Sequence, residues 1–197
     1  QAILRTAADN GVNVLDTARS YGDSEEQIAA ALKKTGLQKH FKIITKIQVF
    51  PKDLPHGERE AWIERSLTTS LKALQRDDVE GVLIHHESEL DSLPLLEKYR
   101  ERGLVQFVGA SLDSNQTKDI EALDATQIPG NILDRRFTEY AHRAAARGGL
   151  IFVRSVYLQG LLFKAEDQLH TVFKGKLLPV RRRLEALARE AALKPSE

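Results

Sequence analysis

The 197-residue chain has no cysteine and no methionine, a single tryptophan, and only 6% aromatic residues. Without cysteine it can form no disulfide, thiolate metal site or cysteine nucleophile. Because methionine is absent even at the first position, Gln1 is not expected to be a natural translation start. The closing Lys194-Pro195-Ser196-Glu197 reads as the entry to another helix, so the chain is expected to be a piece of a longer protein. No apolar run approaches the roughly 20 residues that cross a bilayer. The opening QAILRTAADNG is helix-like and does not resemble a secretory leader. Twenty-nine basic against 28 acidic side chains leave a net charge of +1, too little to steer nucleic acid or an anionic membrane. What is present is an ordinary globular mixture, 42% hydrophobic and 29% charged. The length fits one domain over residues 1–197, with the cytosol as the expected compartment.

Short apolar runs rich in β-branched residues alternate with longer segments of helical period. Strands are expected at Val12–Asp16, Phe41–Ile47, Val79–His85, Val105–Ser111, Thr126–Pro129 and Leu150–Tyr157. Ser24 and Gln27 are spaced as a capping box opening the first inter-strand helix. Ile63, Leu67, Leu71 and Leu74 mark one face of the next helix. Further helices are expected at Leu93–Arg102, Asn115–Leu123, Glu139–Arg147 and Pro179–Leu193. A helix followed by six strand–helix units implies parallel strands joined by right-handed crossovers. Both an open doubly wound sheet and a barrel fit that rhythm. The barrel is favoured because no strand runs into a GxGxxG turn. The fold class expected is α/β: a (β/α)8 TIM barrel, incomplete, with its first strand and its last strand and helix missing.

The polar residues of interest fall at strand ends. Asp16 closes the first strand, Lys46 the second, His85 the third and Ser111 the fourth; Gln127 lies in the fifth and Ser155 near the end of the sixth. A barrel brings such ends to one rim, where these folds carry their active sites. Tyr21 follows Asp16 by five residues, in a loop able to lean over the mouth. A phenol with an ordinary pKa of about 10 needs help to act near neutrality. An adjacent ammonium from Lys46 would supply that help by stabilising the phenolate. Asp16 could hold that ammonium, and His85 could donate to a substrate oxygen. These are parts for polarising and protonating a carbonyl.

The segments GVNVLDTARSYGDSE, ITK, VLIHH, VGAS and TQIPGNILDRR resemble successive segments of the aldo-keto reductases, over nearly the whole chain. The resemblance implies a catalytic tetrad of Asp16, Tyr21, Lys46 and His85, with tyrosine as general acid. It also implies hydride transfer from NADPH, or NADH, to an aldehyde or ketone. His85 rather than His86 matches the family's LIH run. By the same resemblance Ser111 and Gln127 would hold the nicotinamide carboxamide, and Ser155 would begin the loop near the cofactor pyrophosphate. Two positions depart from the family: Leu112 stands where Asn is frequent, and Arg154 where an aromatic commonly stacks under the nicotinamide. Tyr157 is a candidate for that missing face.

Blander readings apply to several residues. His40, His56, His142 and His170 lack metal-ligand spacing and are expected at the surface, with no metal bound. Trp62 is read as packing, and Arg181-Arg182-Arg183 as a solvated helix start. Two rival functions stay open. One is a cofactor-binding regulatory module of the same fold with weak turnover; the other is a Schiff-base lyase using Lys46. The expected partner is a small carbonyl compound, with no nucleic acid or membrane; the substrate itself and the oligomeric state are left open.

Overall fold

In a computed structural model, residues 2–114 and 123–193 are described. Their elements are α1 (Ala2–Asp9), β1 (Val14–Asp16), α2 (Ser24–Thr35), β2 (Lys42–Lys46), α3 (Arg59–Leu74), β3 (Val79–Ile84), α4 (Glu97–Glu101), β4 (Val105–Ser111), β5 (Ala125–Pro129), α5 (Thr138–Ala146), β6 (Leu150–Arg154) and α6 (Thr171–Glu190). All six strands pair in parallel in the order β1-β2-β3-β4-β5-β6. A doubly wound sheet would reverse its order at a switch point. This one never reverses, so it is a curled half-barrel wall. The helix expected over Asn115–Leu123 lies outside the described residues, apart from Leu123.

Alternation along each strand sends side chains to two faces. The outward set includes Ile43, Ile47, Val82, Ile84, Val108, Ala110 and Ile128, all buried against Leu32, Ile63, Leu67, Leu74 and Tyr99 of the helices and Phe137 beside α5. The inward set forms a smaller core of Ile44, Leu83, Phe107 and Ala125, with Val14 and Phe152 packed on it. The Phe107 and Phe152 rings stack with centroids 5.7 Å apart. Phe107 has room because its register partner is Gly81, where a Cβ would sit 2.1 Å from the ring. Gly81→Ala is therefore expected to lower stability by about 1–3 kcal/mol through overpacking, measured by the denaturant midpoint. Adding Phe107→Leu should recover part of the loss. An unchanged midpoint in the single variant would show that the ring does not need the space.

Four sequence expectations change. The capping box is not formed: α2 begins at Ser24 with Asp23 as its N-cap, and neither side chain caps the helix. The Ser24 hydroxyl instead accepts from Thr17 Oγ1 at 3.0 Å, and Gln27 Nε2 donates to Asp23 Oδ2 at 3.2 Å. The helix expected over Leu93–Arg102 is 3-10 from Glu87 to Leu96 and α-helical only from Glu97 to Glu101. Pro94 inside it has no N–H to offer an α-helical ladder. The sixth strand stops at Arg154, because Ser155 takes a left-handed φ of +62°. α6 starts at Thr171, eight residues before Pro179, with His170 Nδ1 accepting from Val172 N at 3.3 Å. Arg181-Arg182-Arg183 thus lie within α6 rather than at its start. His40, His56, His142 and His170 are exposed, as expected. Trp62 is half-buried and packs on the core, donating from Nε1 to the Gln48 carbonyl at 2.9 Å.

The chain divides into two compact units. The first, residues 1–129 and 136–154, holds the whole sheet; the second is residues 130–135 and 155–197. In the second, Asn131 Oδ1 accepts from the Leu133 and Asp134 N–H groups at 2.8 and 3.0 Å, making an Asx-type turn. α6 of this unit faces an apolar hollow lined by Ile132, Tyr157, Phe163, Leu184 and Leu187.

Candidate active site

The inward positions at the carboxyl ends of β1 and β2 carry Asp16 and Lys46. Lys46 is 1% exposed, yet its Nζ is met by a carboxylate and a carbonyl, donating to Asp16 Oδ1 at 2.7 Å and to the Thr17 carbonyl at 2.9 Å. The same Asp16 oxygen accepts from Gln127 Nε2, on β5, at 2.9 Å. A carboxylate can only accept, so this contact fixes the amide's orientation. It leaves Gln127 Oε1 buried and without a partner among the described residues.

Tyr21 sits in the β1–α2 loop and is 47% exposed. Two turns shape that loop: Tyr21 N donates to the Ala18 carbonyl at 3.0 Å, and Ser24 N to the Tyr21 carbonyl at 3.2 Å. Gly22 takes φ +62°, a conformation glycine adopts without a Cβ penalty. The Lys46 ammonium lies over the Tyr21 ring, 5.1 Å from its centroid. The His85 ring meets the Tyr21 ring edge-on at 5.6 Å. Phenol, ammonium, carboxylate and imidazole are thus gathered in one cluster within the first unit.

His85 follows β3 directly and is half-buried, with Nδ1 buried and unpartnered among the described residues. Burial first, then the neighbouring His86 and Lys46 charges, push its pKa down from an ordinary 6.5 to about 4. His86 itself is exposed, its ring tilted against that of His85 at 5.0 Å. At neutral pH His85 is therefore uncharged. Between pH 6.5 and 4 an unfolded chain would take up a proton that the folded one refuses. His85 therefore costs no stability above about pH 6.5 and an increasing amount as the pH drops toward 4. Melting temperatures of wild type and His85→Gln across that window test this: the wild type should lose more. Parallel curves would contradict it.

Ser111 ends β4, buried, and pairs in register with Gln127. Beyond it, Leu112 N donates to the Gln127 carbonyl at 2.8 Å. Arg154, closing β6, donates from Nη2 to the Leu112 carbonyl at 3.1 Å and is ion-paired with Asp113. Glu87 Oε2 accepts from the Asp113 and Ser114 N–H groups at 3.1 and 2.9 Å. Ser155 and Tyr157 belong to the second unit. There the Ser155 carbonyl accepts from Asn131 Nδ2 at 3.4 Å, and the exposed Tyr157 ring lies 5.6 Å from that of Phe163. No group of three or more His, Cys, Asp or Glu side chains that could hold a metal occurs among the described residues.

The sequence reading missed Arg19, Glu25 and Thr45, which are hydrogen-bonded to one another beside the tyrosine loop. Glu25 is 0% exposed, although a carboxylate in a first helical turn normally faces water. Its spacing from Ala29 and Leu32, four and then three residues, places it on the buried stripe of α2. That spacing was readable in advance.

YhdN of Bacillus subtilis (strain 168), an aldo-keto reductase, is 27% identical over 149 residues, 69% of this chain and 45% of that protein. The chain thus spans under half the length of that relative. The solved structure of PA4992 from Pseudomonas aeruginosa, of the aldo-keto reductase type, is 26% identical with a TM-score of 0.69; 82% of this chain and 67% of that one are covered. An aldo/keto reductase from Klebsiella pneumoniae, solved with NADP and acetate, is 22% identical with a TM-score of 0.67, covering 98% of this chain and 66% of that one. The model of the aldo/keto reductase family matches residues 1–197, and the chain belongs to that family.

Proposed function

We propose that this chain carries the catalytic half of a reductase that converts aldehydes or ketones to alcohols with NADPH, and that residues 1–197 form part of one reductase domain. The observation that carries the reading is the Lys46 ammonium, held at 2.7 Å by Asp16 and lying 5.1 Å from the centre of the Tyr21 ring, which also packs perpendicular to the His85 ring at 5.6 Å. A reduced nicotinamide, when bound, would supply the hydride that the carbonyl carbon accepts. Tyr21 gives its hydroxyl proton to the oxygen that this leaves negative. Lys46 then offsets the phenolate charge, Asp16 and the Thr17 carbonyl keep the ammonium in place, and neutral His85 orients the carbonyl through a ring nitrogen.

The donor set fits a nicotinamide. Gln127 Oε1, buried and without a partner among the described residues, can accept from a carboxamide NH2, and the buried Ser111 adjoins it in register. Ser155 and Tyr157 are proposed to meet the cofactor from the loop after β6. NADPH is taken as the reductant in keeping with the family, the Klebsiella protein having been solved with NADP. The Asp16 carboxylate held 2.7 Å from Lys46 Nζ suits a cation set beside Tyr21 better than the unpaired amine a Schiff-base lyase requires.

The test is NADPH consumption by the full-length protein against a panel of aldehydes and ketones. Carbonyl-dependent oxidation of NADPH is expected. Tight NADPH binding with no turnover on any carbonyl would instead favour the regulatory-module reading.

A further inference from the structure

The network around Glu25 takes no part in the proton transfer, yet it joins the two elements on which that transfer depends. Glu25 Oε1 accepts from Thr45 Oγ1 at 2.6 Å, and Oε2 from Arg19 Nη1 at 2.7 Å. The other arm of Arg19, Nη2, donates to the Gly22 carbonyl at 2.7 Å and to Glu26 Oε2 at 3.3 Å. Arg19 and Gly22 flank Tyr21 in the chain. The guanidinium therefore closes the loop across the tyrosine, at the residue whose backbone is left-handed. Thr45 precedes Lys46, and alternation turns its side chain outward toward α2 while Lys46 turns inward. Main-chain bonds run alongside: Thr17 N donates to the Ile44 carbonyl at 2.9 Å and Arg19 N to the Lys46 carbonyl at 3.3 Å. Burying a charge pair this deeply is a poor way to gain stability, because desolvation offsets most of the attraction. Its planar, multiply bonded geometry does fix direction.

We infer that Arg19 and Glu25, braced by Thr45, are positioning residues that hold the Tyr21 ring in register with the Lys46 ammonium. This rests on Tyr21 being the proton donor. A displacement of about 1 Å at a reacting group can lower a rate by about 10²-fold. In the full-length protein, Arg19→Ala should therefore lower kcat by tenfold to about 10²-fold with KM for NADPH nearly unchanged, and Arg19→Lys should restore part of it. Thr45→Ser should behave as wild type and Thr45→Val should lose kcat; this pair decides the matter if Arg19→Ala does not fold. An unchanged kcat in Arg19→Ala or in Thr45→Val, or an equal loss in Thr45→Ser and Thr45→Val, would overturn the inference.

A second readout does not need the reaction. Chymotryptic cleavage after Tyr21, followed by mass spectrometry on folded protein, should be severalfold faster in Thr45→Val than in wild type or Thr45→Ser. Equal rates would overturn the positioning role. If the wild type turns over no carbonyl while these cleavage rates differ as stated, the reductase reading fails and the bracing of the loop stands.

Discussion

Tyr21→Phe in the full-length protein is expected to lower kcat for carbonyl reduction by about 10²- to 10⁴-fold, the range general acid catalysis supplies. NADPH binding should stay close to wild type. The substitution removes one oxygen and keeps the ring, so the edge contact with His85 and the ammonium over the face can both persist. Among the described residues, neither of its two nearest proton-bearing neighbours is suited to replace it. His85, with its pKa pushed down to about 4, is protonated in only about one molecule in a thousand at pH 7. Lys46 is committed to Asp16 and Thr17. Steady-state NADPH consumption and a fluorescence titration of NADPH separate the two effects. Turnover at the wild-type rate would take the acid role from tyrosine, whatever the binding showed.

The site was legible where one physical rule governed several residues at once. Asp16, Lys46, His85 and Ser111 each close an apolar run and Gln127 lies within one, and parallel strands of like direction bring such ends to one rim. Choosing between barrel and open sheet needed the strand order, which periodicity does not encode. Boundaries went astray where a local preference was overruled. Pro179 looks like a first helical residue because proline suits that place, yet α6 already runs from Thr171. Leu150–Tyr157 reads as one apolar run, but the backbone turns left-handed at Ser155. The Arg19–Glu25–Thr45 network stayed hidden because a charge in a first turn is normally read as a solvated dipole partner. Only its phase with Ala29 and Leu32 betrays burial. The partnership between Gln127 and Asp16 spans 111 residues, and no spacing rule reaches that far.

The Asp16–Lys46 pair should respond very differently to losing each of its members. Asp16 is 40% exposed, while Lys46 is 1% exposed. Lys46→Met removes the buried charge and fills the space with a side chain of similar length. The carboxylate left behind still has water and Gln127 Nε2. Stability should therefore be unchanged or improved, while kcat falls by about 10²-fold or more, because the phenolate loses the charge that offsets it. Asp16→Ala leaves an ammonium in the protein interior with, among the described residues, the Thr17 carbonyl as its remaining hydrogen-bond acceptor and the Tyr21 ring beside it. A buried ion stripped of its counter-charge costs about 3–5 kcal/mol. This variant should be the less stable of the two, and Gln127 loses its anchor as well, so NADPH affinity should also fall. Thermal melts on both proteins, together with kcat and NADPH titration, resolve the pattern. If Lys46→Met were the unstable variant and Asp16→Ala melted like wild type, the ammonium would owe its place to packing rather than to the carboxylate. Lys46 would then be held there for the fold, and the case for its tuning Tyr21 would lose its footing.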